Sequence, residues 1–415
     1  MTQPVLQAFK RRGFAIEAEV TEGLDPTPTP SANGFDLFEG SFSSEGDIVE
    51  RPRDRTFYTN DPFIFGNKRG ILEGMLELVP PTVPGHATNG LAPCRHVLYP
   101  CGMAQTLSST YDTTTYTPIS DAIPSATIYF WHSGTLKKLL GCRGTLSSLV
   151  MAIGDRFKAN VKLQGTYDEA YEATLPTDFN LTAFTVPVVA RKSNTMMRVT
   201  PDAGLPLHLR GKSMSVDMNN TLATKEYTEF GSTGITDRKA TATLRFARPA
   251  KADFDVYDVR DSGTLVTFDF LTLEDDGVNF TRLFARGQIE TINEVDIEGD
   301  FGFEVTMRCI ATDAGGDEFG ILYSGAALQL IGDLPDAAAG AYSQSLQLRG
   351  LFVAPVTYSV LSGSLPGGCT LNSATGVVSG TATPGTTTCV IRATAKDLTG
   401  ATITADSVSQ AITIT

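Results

Sequence analysis

Tryptophan occurs once and histidine four times in 415 residues, and neither is placed where catalysis would need it. His86, His96, His132 and His208 are scattered, and none sits at the spacing of a zinc-protease helix. No nucleophile elbow, Walker loop or dinucleotide fingerprint is present. The acid pair Asp275-Asp276 falls at a strand turn, which accounts for it without a substrate. Cysteine is sparse, at six. The segment "CRHVLYPC" (94–101) offers Cys and His but has no second paired-ligand segment, so Cys94, Cys101, Cys142 and Cys309 read as small buried hydrophobes of a reducing compartment. The expectation is a protein that is not an enzyme and carries no cofactor or metal.

Long apolar runs are missing as well. None approaches the roughly 18 residues of a membrane helix. The N-terminus has Arg11 and Arg12 but no apolar stretch of a secretory leader, which points to folding in a cytoplasm. Positive charge is the scarcer sign, with 33 basic against 46 acidic residues and a net charge of −13. Three basic and four acidic residues lie in 323–415, so −12 belongs to the first 322 residues. Such a surface repels nucleic acid, whose binding depends on lysine and arginine displacing counterions.

Glycine (39) and proline (22) are plentiful, and they punctuate short alternating apolar runs. That is the pattern of a β-protein with many turns. One phrase occurs twice. "LLGCRGTLSSL" (139–149) returns as "RLFARGQIETI" (282–292), with the two Arg-Gly pairs 143 positions apart. Each copy leads through a Gly-Asp turn, Gly154-Asp155 and Gly299-Asp300, into an alternating strand. Upstream, "NKRGILEGMLELVP" (67–80) matches "TDRKATATLRFARP" (236–249), each preceded by a long polar excursion read as a large loop or extended hairpin. Arg69 to Arg143 spans 74 positions and Arg238 to Arg286 spans 48, so the first copy carries a surplus of 26, read as a loop with a short helix. The chain therefore reads as a duplicated β-unit, 1–195 and 196–322, then a linker, 323–332, and a further domain, 333–415.

That last domain consists of short strands with turn signals about every ten residues, the signature of an immunoglobulin-like sandwich. It resembles a bacterial and phage Ig-like family through Leu365-Pro366, Gly376, Gly380, Gly385, Asp397 and Gly400. Cys369 and Cys389 stand where that family usually has apolar residues, and either a disulfide or two reduced, packed thiols is compatible with facing strands.

The first 322 residues resemble the tail tube proteins of long, flexible-tailed (siphovirus-type) phages. The resemblance rests on Thr21, Gly23, Asp25, Pro26, Pro28 and Thr29, then Glu50-Arg51-Pro52, then "SGTLKKLLGCRGTL", and covers 12–175 well and 196–310 more weakly. Ser133 stands where relatives often have Asp or Asn. The resemblance implies β-sandwich or barrel units, six to a ring, with rings stacked into a tube. Two units per chain then make a homotrimeric, pseudo-sixfold ring. It further implies a virion protein assembled in the host cytoplasm. Its partners would be its own copies, a tape-measure protein and the terminator and distal tail proteins, while double-stranded DNA passes through the lumen unbound. The polar excursions would join rings, through Glu45, Asp47, Glu50, Arg51, Arg53 and Arg55 in the first and Lys225, Glu226 and Tyr227 in the second. Candidate acids of the channel wall are Glu17, Glu19, Glu73, Glu77, Glu290 and Glu304, each on an alternating strand with an apolar other face. The Ig-like domain would decorate the exterior and touch surface glycans weakly. A bacterial surface adhesin or a secretion-system tube protein are the alternatives. The first would need an export signal, and the second is normally one short unit.

Overall fold

The computed structural model describes residues 11–415 apart from 55, 56, 58, 110, 111, 168, 203–205, 229, 275–278, 326, 327, 351, 397–401 and 408. Arg55, Asp275, Asp276, Asp397 and Gly400 therefore lie outside the described residues. The chain is mainly β. Its first half comprises β1 (Arg12–Ala18), helix α1 (Pro30–Asn33), β2 (Gly34–Phe35), β3 (Phe38–Val49), β4 (Ile64–Glu77), helix α2 (Arg95–Leu98), β5 (Met103–Ser108), β6 (Thr113–Pro118), β7 (Ala126–His132), β8 (Thr135–Ala152), β9 (Lys158–Tyr167) and β10 (Tyr171–Glu172). The second comprises β11 (Thr195–Pro201), β12 (Leu207–Leu209), β13 (Gly211–Asp217), β14 (Asn220–Tyr227), β15 (Phe230–Arg238), β16 (Thr241–Ala247), helix α3 (Val256–Asp261), β17 (Val266–Leu273), β18 (Phe280–Ile297), β19 (Asp300–Cys309) and β20 (Phe319–Ser324).

The hydrogen-bonded order of the first half, β1–β7–β8–β9–β4–β3, has its counterpart in β11–β17–β18–β19–β16–β13. All these pairings are antiparallel, and β8 and β18 are both 18 residues long. Alternation in sequence becomes alternation in burial: Ala159, Val161 and Leu163 of β9 and Phe303, Val305 and Met307 of β19 point into the core. Each polar excursion is a hairpin. In the first half it is β3–β4 itself; in the second, β14 and β15 form a separate ladder beyond β13 and β16.

The surplus in the first half holds more than a loop and a short helix. Besides α2 it forms the β5–β6 hairpin, and β6 pairs with β20 of the second half. This pairing ties together segments more than 200 residues apart, Tyr116 with Ile321 and Thr113 with Ser324, that the sequence pattern leaves unrelated. The two halves also share one continuous hydrophobic cluster, running from Phe14 and Ile16 through Leu146 and Leu163 to Phe246, Phe268 and Tyr323.

The expected linker 323–332 is largely strand. Tyr323 and Ser324 are buried in β20, and β21 (Leu328–Ile331) pairs with β23 (Gln347–Gly350). Beyond it, β22 (Gly340–Ser345), β25 (Cys369–Leu371) and β26 (Val377–Ala382) form one sheet. Another comprises β24 (Val353–Gly363), β27 (Gly385–Lys396), β28 (Thr402–Asp406) and β29 (Gln410–Ile414). They enclose a separate core that includes Val378, Ile391 and Ile412. Cys369 and Cys389 are both free thiols.

A shared core has a measurable consequence. Trp131, the sole tryptophan, lies in the first half, while Phe268 is fully buried in the second against Phe246 and Phe254. Phe268→Ala is expected to cost about 3–5 kcal/mol and to move the Trp131 fluorescence transition in urea. An unmoved Trp131 transition would mean that the halves unfold independently.

Candidate assembly interface

The Arg-Gly phrase has a physical basis in both copies. A side chain at Gly144 would run into the carbonyl oxygen of Lys162 on β9, and one at Gly287 into that of Arg308 on β19. The neighbouring backbone therefore leaves room only for glycine at this point of the long strand. The arginine before it pins the loop that follows the first strand of its own half. Arg143 Nη1 meets Glu22 at 2.5 Å, and Arg286 Nη2 meets Asp202 at 2.5 Å. Arg143 also donates to the Ile123 carbonyl, from Nε at 3.1 Å and Nη2 at 2.9 Å. The Glu22 carboxyl is held below its ordinary 4.5, first by the hydrogen bond from Arg143.

The same strand carries the seam between the halves. β13 lies antiparallel along the outer half of β8, pairing Ser213 with Ala152, Met214 with Met151, Ser215 with Val150 and Val216 with Leu149. Ile153 N donates to Lys212 O and Met218 N to Leu146 O, both at 3.0 Å. Asn220, buried, donates its side-chain amide to Cys101 O at 2.8 Å and Gly144 O at 3.0 Å. Arg143 Nη1 reaches across to Thr233 O of the β14–β15 hairpin at 2.8 Å. A main-chain ladder, a buried amide and a partly buried guanidinium thus join first half to second.

The two excursions expected to contact other rings meet each other. Thr224 Oγ1 of β14 accepts from Arg69 Nη1 at 3.2 Å and from Gln164 Nε2 at 3.1 Å. Glu226 accepts from Asn67 at 2.6 Å. Lys225 is exposed opposite Ser232, and Tyr227, 70% exposed, stacks on Phe230 at 6.4 Å. In the first hairpin Glu45 and Asp47 turn to Arg69, at 3.8 and 3.1 Å. Glu50, Arg51 and Arg53 are exposed on the connection, where the Arg53 backbone N–H donates to Asp61 at 2.8 Å. Charge is only part of this surface. Ile48, Val49, Phe63, Ile64 and Phe65 are each at least half exposed, with Ile48 paired across the hairpin to Phe65 and Val49 to Ile64. The hairpin end thus exposes apolar side chains on both of its faces. The charge-based sequence reading passed over them, although "PFIFG" signals them.

The candidate channel acids divide. Glu19 is committed to its own chain: its carboxylate accepts from Gly23 N at 2.7 Å, Ser125 Oγ at 2.6 Å, Thr127 Oγ1 at 2.7 Å and Gly141 N at 2.8 Å, so it fastens the loop after β1 to β7 and β8. Glu17 is half-buried opposite Thr127. The other four face a cation on the adjacent strand or turn: Glu73 with Lys162 at 3.3 Å, Glu304 with Arg245 at 3.4 Å, Glu77 with Arg156, and Glu290 with Arg308. Burial raises the Glu77 carboxyl above its usual range. Alternation placed these acids correctly off the apolar face, but it carried no information about the strand opposite.

Burial pushes the Cys94 thiol up to about 12 and raises Cys101 further, as expected of packed sulfur. No helix among the described residues is long and apolar enough to cross a membrane.

A strand-lined seam and a paired hairpin join two matching strand sets. Residues 13–306 match the family of the phage tail tube protein, and the chain belongs to it. Residues 337–415 match an Ig domain family. No curated protein matches the chain. Its class is accordingly structural: a virion component that assembles with its own copies into a tube.

The Glu22–Arg143 contact generates a pH test. A depressed folded pKa contributes stability that is present above the unfolded value and is lost as the pH falls through the folded one. Wild type is therefore expected to be more stable than Arg143→Ala at pH 7, with the gap in urea midpoints narrowing as the pH drops below 4.5. A constant gap would assign the arginine's effect to its carbonyl contacts alone.

Proposed function

We propose that three copies of this chain close a ring of six pseudo-equivalent tube units, and that such rings stack into the hollow tail of a siphovirus-type phage through which DNA is ejected. The observation that carries this reading is the doubled strand set within a tail-tube family member. The two units, near 1–195 and 196–322, are a duplication whose products have diverged most in the β5–β6 insertion. The apolar end of the β3–β4 hairpin, with Glu50, Arg51 and Arg53 beside it, joins one ring to the next. Its further partners are a tape-measure protein and the terminator and distal tail proteins. Assembly takes place in the host cytoplasm. The Ig-like domain, at the chain end, decorates the exterior without obstructing ring closure and offers a weak glycan contact.

The channel wall in this reading is acid-rich but not uniformly acidic. Glu73, Glu77, Glu290 and Glu304 alternate with Lys162, Arg156, Arg308 and Arg245, so these pairs are nearly neutral and DNA is repelled by the acids in excess, Glu17 among them. Like charge keeps the duplex from adhering as it slides.

Electron microscopy of assembled material tests the ring. Three chains around a hollow channel are expected; six chains would keep the tube and overturn the duplication. Replacing Glu73 and Glu290, the two exposed acids of the set, with lysine is expected to leave tubes of normal length and slow DNA release. Unchanged release would remove the charge argument.

A further inference from the structure

Three strands of the second half are buried without alternation, over 195–199 of β11, 268–272 of β17 and 319–324 of β20. That is the pattern of a sheet covered on both faces. One cover is the shared core, which Met197, Val199, Phe268, Phe270 and Ile321 enter. Successive side chains of a strand point to opposite faces, so Met196, Leu271, Phe280 and Leu322 lie on the other face. There they form a cluster of their own, each 2% exposed or less. A charge cluster adjoins them. Asp269 lies between two guanidiniums, accepting from Arg282 Nε at 2.7 Å and meeting Arg198 Nη2 at 3.4 Å. Arg198 is buried, and its guanidinium lies 5.0 Å from the centre of the Phe352 ring. Phe352 belongs to the core of the Ig-like domain, and β24, which begins at the next residue, lies against β12. The first half shows what such a face needs. β1 and β7 stand in the first set where β11 and β17 stand in the second. Their outward residues Ala15, Tyr129 and Trp131 are covered by the chain that follows β10, through Leu175 and Phe179, with the Phe179 ring 5.6 Å from that of Trp131.

We propose that the Ig-like domain is the cover of this second face, seated through Phe352 on Arg198 in the place that Leu175 and Phe179 take on the first unit. The domain is then a fixed part of the subunit wall. Domains joined by a small polar contact move relative to one another by default, but this face is apolar and would be left in water if the domain swung away. The anchor suits its place. One carboxylate serves two guanidiniums here, and the negative face of an aromatic ring complements the positive charge beside it. Guanidinium is also more weakly hydrated than ammonium and stacks on rings, so arginine can be buried under Phe352 where lysine could not. The attachment agrees with a seat. Residues 325–327 alone separate the end of β20 from β21, and Leu330 of β21 is already in the Ig-like core, so the domain starts beside the face it covers. The seat is a property of the single chain. Its consequence for a tube, one repeated orientation of the Ig-like domains along the surface, rests on the tube reading.

The test puts a thiol on the covered face, Leu271→Cys, in the full chain, and compares it with two native buried thiols, Cys142 of the tube region and Cys389 of the Ig-like core. Maleimide labelling is read site by site by mass spectrometry. With the seat intact, all three positions are expected to react slowly. Arg198→Met combined with Phe352→Leu keeps apolar bulk on both sides while removing the cation and the ring. It is expected to speed labelling at position 271 by about tenfold or more through local opening, with Cys142 and Cys389 unchanged. An unchanged rate at position 271 would overturn the seat. If Cys142 or Cys389 also reacts, the variant has unfolded, and the chain without substitutions decides. In electron microscopy of its tubes, density for the Ig-like domains, averaged with the tube's symmetry, is expected to be as well defined as the wall. Density that fades beyond the wall would overturn the seat. Absence of tubes would overturn the tube reading instead, and the seat would then stand or fall on slow or fast labelling at position 271 in the chain with Leu271→Cys alone.

Discussion

An unpaired strand edge presents a row of backbone N–H and C=O groups that only another strand, a cover or water can satisfy. The rest of this molecule is arranged around that constraint. Among the described residues the main sheet of the tube region has 18 strands, and it is extended by joining two similar sets instead of closing each on itself. β13 reaches out of the second set to cover β8 of the first, and β20 is covered by β6 from the opposite direction. These two crossings explain why a single hydrophobic cluster serves both halves. Two matching strand sets are thereby joined through ladder and core instead of a surface contact.

The Arg-Gly pair sits at the junction of these demands. Close approach of β9 to β8, and of β19 to β18, needs a residue without a side chain, and the preceding guanidinium uses its several donors to fix what the strand itself cannot reach. In the first half those contacts extend to the second half's hairpin through Thr233. One dipeptide therefore couples strand packing, loop position and unit docking, which is sufficient physical reason for both copies to contain it.

Strand periodicity, the repeat, the paired hairpins and the Ig-like sandwich were legible in the sequence because each depends on local alternation and turn residues. What was not legible depends on partners distant along the chain. "TTTYTP" in β6 alternates well enough to be a strand, but nothing local announces that it pairs with Ile321–Ser324. Glu19 looks like any outward acid on an alternating strand until Ser125, Thr127 and Gly141 are brought around it. The family resemblance supplied the tube. The basic residues opposite Glu73 and Glu304 emerged only once the register was known.

Divergence between the halves follows from where each hairpin lies. The β14–β15 hairpin rests on its own chain, and its contacts are polar and specific: Thr224 with Arg69 and Gln164, Glu226 with Asn67, Asn220 with two carbonyls. Of these groups the Asn220 amide nitrogen is desolvated on folding, and two carbonyls of the same chain accept from it. The β3–β4 hairpin instead carries Ile48, Val49, Phe63, Ile64 and Phe65 in the open. Apolar contact requires no fixed donor geometry, so it suits a surface that must find its partner by association and form many times over along a tube. On the proposed duplication, a single ancestral hairpin would have had to serve both purposes with one surface, whereas two hairpins in one chain leave the apolar one for other molecules and the polar one for its own chain.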